Sequence, residues 1–528
     1  MDWGFRTATA FLATVLLAVY PTASDHYPPK PPDLTTPVQK RIAIYGPNAV
    51  SIGWNTYQQL TKPCVEYDTR NDSLTRTACS DTSETYPTSR TWSNTVILDG
   101  LKPATTYYYK VVSTNSTVDH FMSPRSPGDT TPFALDVVID LGVYGHDGFT
   151  TDKRDTVPDI EPALDHSTIG RLAHTIDDYE LIIHPGDFAY ADTWYAKGKS
   201  RHHGEAAYQS ILERFYEQLA PIASRKAYMA SPGNHEANCD ISHHITEDCP
   251  LGQSNFTDFM NRFGRTLPSA FPSSSSDATA KSKAATAQKL ARPPFWYSFE
   301  HGMAHIVMID TETDFRKAPE GIGGSTGDDK GPFGAPHQQL DFLEADLASV
   351  DRTVTPWLIV AGHRPWYTTS GGETCRPCQK AFEPLLYKYG VDLGVFGHVH
   401  NSQRFVPVHD GNPDPNGMSN PKAPMYIIAG GAGNIEGLKP VGKNVSGNVF
   451  AYADDFSFAK LLFKDRNHLQ VDFVRSRTGE VVDTSVLYKE HAEQFTVSEK
   501  EPEREDDTFF FLLCILFAEL LFIRLVFY

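Results

Sequence analysis

Leu181-Ile182-Ile183-His184-Pro185-Gly186-Asp187-Phe188-Ala189-Tyr190 opens on an apolar run of strand type and closes on a glycine, an acid and a phenol. An apolar strand that passes straight into polar residues is typical of a buried sheet, which presents its functional groups at the carboxyl ends of its strands. The pattern recurs on both sides. Upstream, Ala134 to Ile139 is followed by Asp140-Leu141-Gly142. Downstream, Ala227-Tyr228-Met229-Ala230 leads to Gly233-Asn234-His235-Glu236, and Trp357-Leu358-Ile359-Val360 leads to Gly362-His363. A fifth strand, Leu393-Gly394-Val395-Phe396, ends in Gly397-His398-Val399-His400. Helical spacing fills the intervals, over residues 161 to 178, 206 to 222, Gln338 to Leu347 and near Cys378 to Tyr387. Asp140 and Asp187 are 47 residues apart, as are Asp187 and Asn234, about one β-α-β step each. The spacing predicts an α/β domain with its strands covered on both faces.

Each block alone has an ordinary explanation. An isolated Asp-x-Gly is a turn, and an isolated Gly-Asp-x-x-Tyr is a loop beside a core tyrosine. Gly-Asn-His-Glu is more specific, because polar residues directly after an apolar strand need partners if they are buried. His398-Val399-His400 places two imidazoles on one side of an extended segment. Five blocks of metal-ligand residue types, in order at successive strand ends, point to a metal centre. Glycine beside the ligands lets the backbone turn tightly there.

Residues 25 to 130 follow a different pattern. Arg41 to Ile44, Val50 to Trp54 and Thr91 to Leu98 read as strands, and Pro103, Thr105, Tyr107, Tyr109 and Val111 alternate along one strand face. About 100 residues of short strands between turns suggest a β-sandwich. Through Leu101-Lys102-Pro103-Ala104-Thr105-Thr106-Tyr107-Tyr108-Tyr109 it resembles a fibronectin type III-like module. The expected organisation is a signal peptide over 1–24, this sandwich over 25–130 and a catalytic domain over 131–490, including a strand-rich C-terminal part. An acidic linker over 491–508 and a hydrophobic tail over 509–528 complete it. Residues 267 to 294, with Ser273 to Ser276 and several Ala and Lys, read as a mobile insertion.

The five blocks and the preceding sandwich resemble the purple acid phosphatase family within the dinuclear metallophosphoesterases, over about residues 35 to 490. Tyr190 discriminates, because in that family a tyrosinate binds ferric iron and gives the purple colour. Ala237-Asn238-Cys239 and Asn255-Phe256-Thr257 look most like the fungal members. The resemblance implies a two-sheet metallophosphoesterase sandwich flanked by helices. It implies an acid phosphatase whose Fe(III) is held by Asp140, Asp187, Tyr190 and His400, with a divalent zinc, iron or manganese on Asp187, Asn234, His363 and His398. His235 would stand beside the substrate phosphate, and hydroxide on the metals would attack it. The donor chemistry agrees. Carboxylate and phenolate suit a hard ferric ion, imidazole and amide suit a divalent one, and two ions clamp an in-line displacement. No histidine follows His363 through Gly372, where plant-like members carry further ones, and His400 is not followed by the aromatic-acid pair common elsewhere, so the resemblance does not carry over leaving-group contacts or substrate preference. His202 and His203 read as exposed loop residues.

Composition sets the outer limits. Lys+Arg 47 against Asp+Glu 65 gives a net charge of -18 without a basic run, which disfavours nucleic acid. The expected substrates are small phosphomonoesters, phytate among them by family; oligomeric state stays open. Arg6, the apolar Ala8 to Val19 and Thr22-Ala23-Ser24 form a secretory signal. Sequons at Asn71, Asn115, Asn255 and Asn444 agree with export. Three local cysteine pairs, Cys64–Cys79, Cys239–Cys249 and Cys375–Cys378, are expected as disulfides, with Cys514 alone. A redox CxxC or half a zinc site is the other reading of Cys375 and Cys378. Phe509 to Tyr528 is long enough to span a membrane, although Glu519 opposes insertion; an anchor signal and an atypical terminus are the alternatives. A metallophosphodiesterase or nucleotide hydrolase is the nearest rival function. A catalytically silent surface binding protein, with the sandwich binding carbohydrate or protein, is the other.

Overall fold

The computed structural model describes residues 28–144, 167–196, 204–237 and 251–491. The signal segment, His202 and His203, Cys239 and Cys249, the acidic linker after residue 491 and the tail with Cys514 lie outside the described residues. Among the described residues, no helix is long and apolar enough to cross a membrane.

Two large sheets enclose one core. In the first, Phe133–Val137, Leu181–Pro185 and Ala227–Ser231 run parallel. In the second, Ala304–Met308, Trp357–Ala361, Leu393–Phe396 and Met425–Ala429 run parallel. Val137, Ile183 and Met229 share an apolar core with Ile306, Ile359, Val395 and Ile427 of the other sheet. Alternate residues Val307, Val360 and Ile428 turn the other way and pack with Phe342 and Leu343 of helix Gln338–Leu347 and Phe382 and Leu386 of helix Arg376–Lys388. Burial of strands on both faces explains their unbroken apolar runs.

The first sheet continues past these parallel strands at both edges. Ser457–Phe463 pairs antiparallel with Phe133–Val137 and carries His468–Arg475 and Val481–Tyr488 beyond it. At the other edge, Val38–Gly46 meets Ala227–Ser231 in parallel at Ile42 and Ala227, and Ala49–Thr56, Trp92–Leu98 and Ser83–Glu84 follow. One layer of the N-terminal sandwich is thus hydrogen-bonded into the first sheet. The second layer is Arg76–Cys79, Cys64–Asp68, Thr106–Val111 and Asp119–Met122, closed over Trp54, Val65, Tyr107, Tyr109 and Phe121. The Tyr109 hydroxyl donates to the Ser224 carbonyl at 2.8 Å, and the Arg41 guanidinium donates to the Arg262 carbonyl at 2.9 Å, which ties the two parts together. Cys64–Cys79 and Cys375–Cys378 are disulfides.

The segment from 267 to 294 differs from the mobile insertion expected. Asp277 caps a helix over Ala278–Leu290 by accepting from the Ala280 amide; Ala284 is buried, and Ala287 is buried in the second sheet's outer core. Its alanines are small enough for close packing, while its lysines face away; composition alone reads as low complexity.

Asp136 lies fully buried beside Lys460 on the neighbouring strand, with the two charged groups 3.9 Å apart and neither carboxylate oxygen hydrogen-bonded. Burial pushes its pKa up to about 7, against partial relief from Lys460. A folded pKa above the unfolded value adds stability that is complete at low pH and lost as pH rises towards 7. Asp136→Asn is expected to flatten the fall in melting temperature between about pH 4 and pH 7.5, a difference of the order of 2–4 kcal/mol. Parallel melting profiles for the two proteins would contradict this.

Candidate metal centre

The site forms where the carboxyl ends of both parallel sets meet. Asp140, Asp187, Tyr190 and Asn234 follow strands of the first sheet; His363, His398 and His400 follow strands of the second. Asp187, His363 and His398 each offer a ligand atom, all within 4.8 Å of one another. His363 Nε2 stands 3.0 Å from Asp187 Oδ2. The Tyr190 hydroxyl donates to Asp140 Oδ1 at 2.8 Å and lies 3.3 Å from the same Asp187 Oδ2. It is also 3.0 Å from His400 Nε2, which is 3.7 Å from Asp140 Oδ1. Asp187 Oδ2 therefore belongs to two donor groups, one with His363 and one with Tyr190, Asp140 and His400.

The backbone is bent to make this convergence. Asp140, Asp187, Tyr190 and His398 have φ of 61°, 56°, 53° and 66°, the left-handed region that costs a non-glycine residue about 1–3 kcal/mol. Gly233 is there for clearance, since a Cβ on it would lie 2.3 Å from Asp187 Oδ1. The fully buried turn is then held by hydrogen bonds. Glu236 accepts from the amides of Asp187, Phe188 and Gly233, joining two blocks. His363 Nδ1 is 3.2 Å from the Pro185 carbonyl and His400 Nδ1 is 3.2 Å from the Gly437 carbonyl, so each imidazole turns Nε2 inward.

The electrostatics call for a cation. Burial, reinforced by the Asp187 charge against the relief of His363, pushes Asp140 up to about 8. Burial and then the Asp140 and Asp187 charges hold the Tyr190 phenol well above its ordinary value. Anionic donors packed this closely cannot ionise together without positive charge between them. Asn234 Oδ1 is buried with no hydrogen-bond partner among the described residues, and His363 Nε2 is buried against Asp187 Oδ2. A buried amide oxygen beside carboxylates, a phenol and imidazoles fits the ions that such a donor set selects.

Several residues of the site were not read from the sequence. Asp192, in the first turn of the short helix Ala191–Ala196, places its carboxylate oxygens 2.7 and 2.8 Å from His235 Nδ1. His235 Nε2 is left facing Asp187 Oδ2 at 3.8 Å. Burial alone would lower the His235 pKa, but Asp192 and Asp187 hold it well above its ordinary value. Thr311 Oγ1 accepts from the amides of His363 and Arg364. Arg364 is pinned by Glu312 and Glu320, and Glu373 approaches His398. Asp192 had a local signal, two residues past Tyr190; the others come from loops that only the fold brings together.

Three family models match the chain: "Purple acid Phosphatase, N-terminal domain" over residues 37–126, "Calcineurin-like phosphoesterase" over 158–402 and "Iron/zinc purple acid phosphatase-like protein C" over 423–484. The chain is 62% identical over 489 residues to acid phosphatase A of Cryphonectria parasitica, covering 91% of this chain and 97% of that one. It belongs to the purple acid phosphatase family. The fungal likeness and the acid phosphatase class expected from the motif blocks agree with this. A nucleotide pyrophosphatase/phosphodiesterase of Hordeum vulgare is 25% identical over 70% of this chain and 87% of its own. The purple acid phosphatase from yellow lupin seeds shares the fold, with a TM-score of 0.60 and 22% identity over 86% of this chain and 75% of that one. In a purple acid phosphatase, Asp192→Asn is expected to lower kcat at least about 10-fold with little change in KM, since it removes the charge that holds the proton on His235. An unchanged kcat would contradict that role.

Proposed function

We propose that this chain is a secreted purple acid phosphatase that hydrolyses phosphate monoesters at a dinuclear centre. Fe(III) would be held by Asp140, Asp187, Tyr190 and His400, and a divalent zinc, iron or manganese ion by Asp187, Asn234, His363 and His398. The observation that carries the reading is Asp187 Oδ2, set 3.0 Å from His363 Nε2 and 3.3 Å from the Tyr190 hydroxyl, as a bridging carboxylate must be. When bound, the two ions supply Lewis acidity that acidifies water and polarises the phosphoryl group.

The chain's own residues do the rest. Asn234 gives an oxygen without charge, so the divalent half stays electron-poor and attractive to phosphate. Asp192 fixes the His235 ring through Nδ1, and His235 holds a proton at Nε2 for the departing alkoxide. Secretion is supported by the signal-type leader and by the exposure of all four sequon asparagines, Asn71, Asn115, Asn255 and Asn444. Phytate belongs among the monoesters to be tested.

The test is turnover of an aryl phosphate monoester against the matched diester near about pH 5, before and after chelation. The proposal expects kcat/KM to favour the monoester at least about 100-fold, a gap of about 2.7 kcal/mol, and to collapse on metal removal. Preference for the diester would place the chain with the phosphodiesterases instead. Silence with both, in a protein that holds its metals, would leave the binding-protein reading.

A further inference from the structure

Each imidazole that binds a metal has a second ring nitrogen, and whatever holds that nitrogen sets the tautomer and aims the ring. His363 and His400 rest their Nδ1 atoms near backbone carbonyls, of Pro185 and Gly437. His398 differs. Its Nε2 is 3.3 Å from Glu373 Oε2 and 3.1 Å from Arg364 Nη1, both side chains of the loop that follows the His363 block. Arg364 is always a donor, whereas ionised Glu373 is always an acceptor. Nε2 can therefore serve one of them at a time: with its proton it donates to Glu373, and without it accepts from Arg364.

Arg364 is already well satisfied. Its Nε donates to Glu312 Oε2 at 2.6 Å and its Nη2 to Glu320 Oε1 at 2.7 Å, so only Nη1 is turned to His398. Glu373 is steadied from its other side. Its Oε1 accepts from Lys439 Nζ at 2.9 Å, and the Lys439 amide donates to the His400 carbonyl at 2.9 Å. Glu373 thus ties the loop after His363 to the segment behind His400, at the point where further histidines are missing from the sequence.

We propose that Glu373 is a positioning residue for the divalent half of the centre: it keeps the proton on His398 Nε2, so that Nδ1 is the nitrogen presented beside Asp187 and His363. Without Glu373, Arg364 Nη1 captures Nε2, the proton moves to Nδ1, and that nitrogen can no longer bind a metal. The inference rests on the two-metal reading and adds a residue to it that holds no metal itself.

The experiment measures divalent-ion affinity directly, by titrating zinc into full-length protein stripped of its labile ion and following bound metal. Glu373→Ala is expected to weaken zinc about 10- to 100-fold, the range typical of lost outer-shell partners. Glu373→Gln, whose amide oxygen still accepts from Nε2, is expected to fall between wild type and Glu373→Ala, with iron content unchanged in both. Zinc affinity within twofold of wild type in Glu373→Ala would overturn the inference, as would equal losses of zinc and iron. If Glu373→Ala does not fold, Glu373→Gln with wild-type affinity overturns it as well. A wild-type chain that binds no second ion would instead overturn the two-metal reading, and this inference with it.

Discussion

Asp187→Asn is expected to abolish phosphatase activity, with kcat down by at least about 10³-fold, and to leave the protein short of both ions. The size of the effect follows from geometry. Asp187 Oδ2 is shared between His363 and the Tyr190 group, and Oδ1 accepts from the His235 amide at 2.9 Å, so one carboxylate serves both halves and the turn between them. Asparagine keeps the shape and loses the charge. With burial pushing against ionisation, the His363 and His235 charges still hold Asp187 well below the usual carboxylate range, so it is the fixed negative charge of the site. On the proposed two-metal reading, removing that charge would take away a ligand common to both ions, and a two-metal clamp fails when either ion is lost. Metal analysis beside steady-state kinetics checks this; a variant with both ions and near-normal kcat would move the bridge elsewhere.

Tyr190→Phe is expected to erase the visible charge-transfer band while leaving the fold intact. The ring is 1% exposed and packs against His235 with ring centres 4.1 Å apart, so phenylalanine fills the same space. What disappears is the hydroxyl that donates to Asp140 and sits beside His400. Burial, then the Asp140 and Asp187 charges, hold that phenol well above its ordinary value, so on the proposed assignment its ionisation would report on a bound ferric ion. A band retained in the variant would reject the ferric-tyrosinate assignment, and an altered melting temperature without spectral change would make Tyr190 a packing residue.

How far the sequence alone reached depended on how local each feature is. The strands before Asp140, Asp187, Asn234, His363 and His398 were legible because burial on both faces leaves continuous apolar runs. Their blocks were legible because ligand types sit directly at the strand ends. The sandwich strands were visible as alternation, but not that Val38–Gly46 joins the catalytic sheet, since that pairing links residues far apart in the chain. The same holds for Ser457–Phe463 beside Phe133–Val137. Helix Ala278–Leu290 was hidden because alanine and lysine in a serine-rich setting look the same whether packed or loose. In the site, Asp192 escaped notice despite lying two residues past Tyr190, and Glu373 because a lone acid ten residues beyond His363 has no pattern of its own. Their meaning comes only from lying within reach of His235 and His398.

The most direct test is a visible spectrum with metal content on the purified full-length protein. A purple band and about two metal ions per chain, at least one of them iron, are expected. A colourless protein carrying two zinc or manganese ions would contradict this, and would leave Tyr190 as a packing residue in a metallophosphoesterase of another branch.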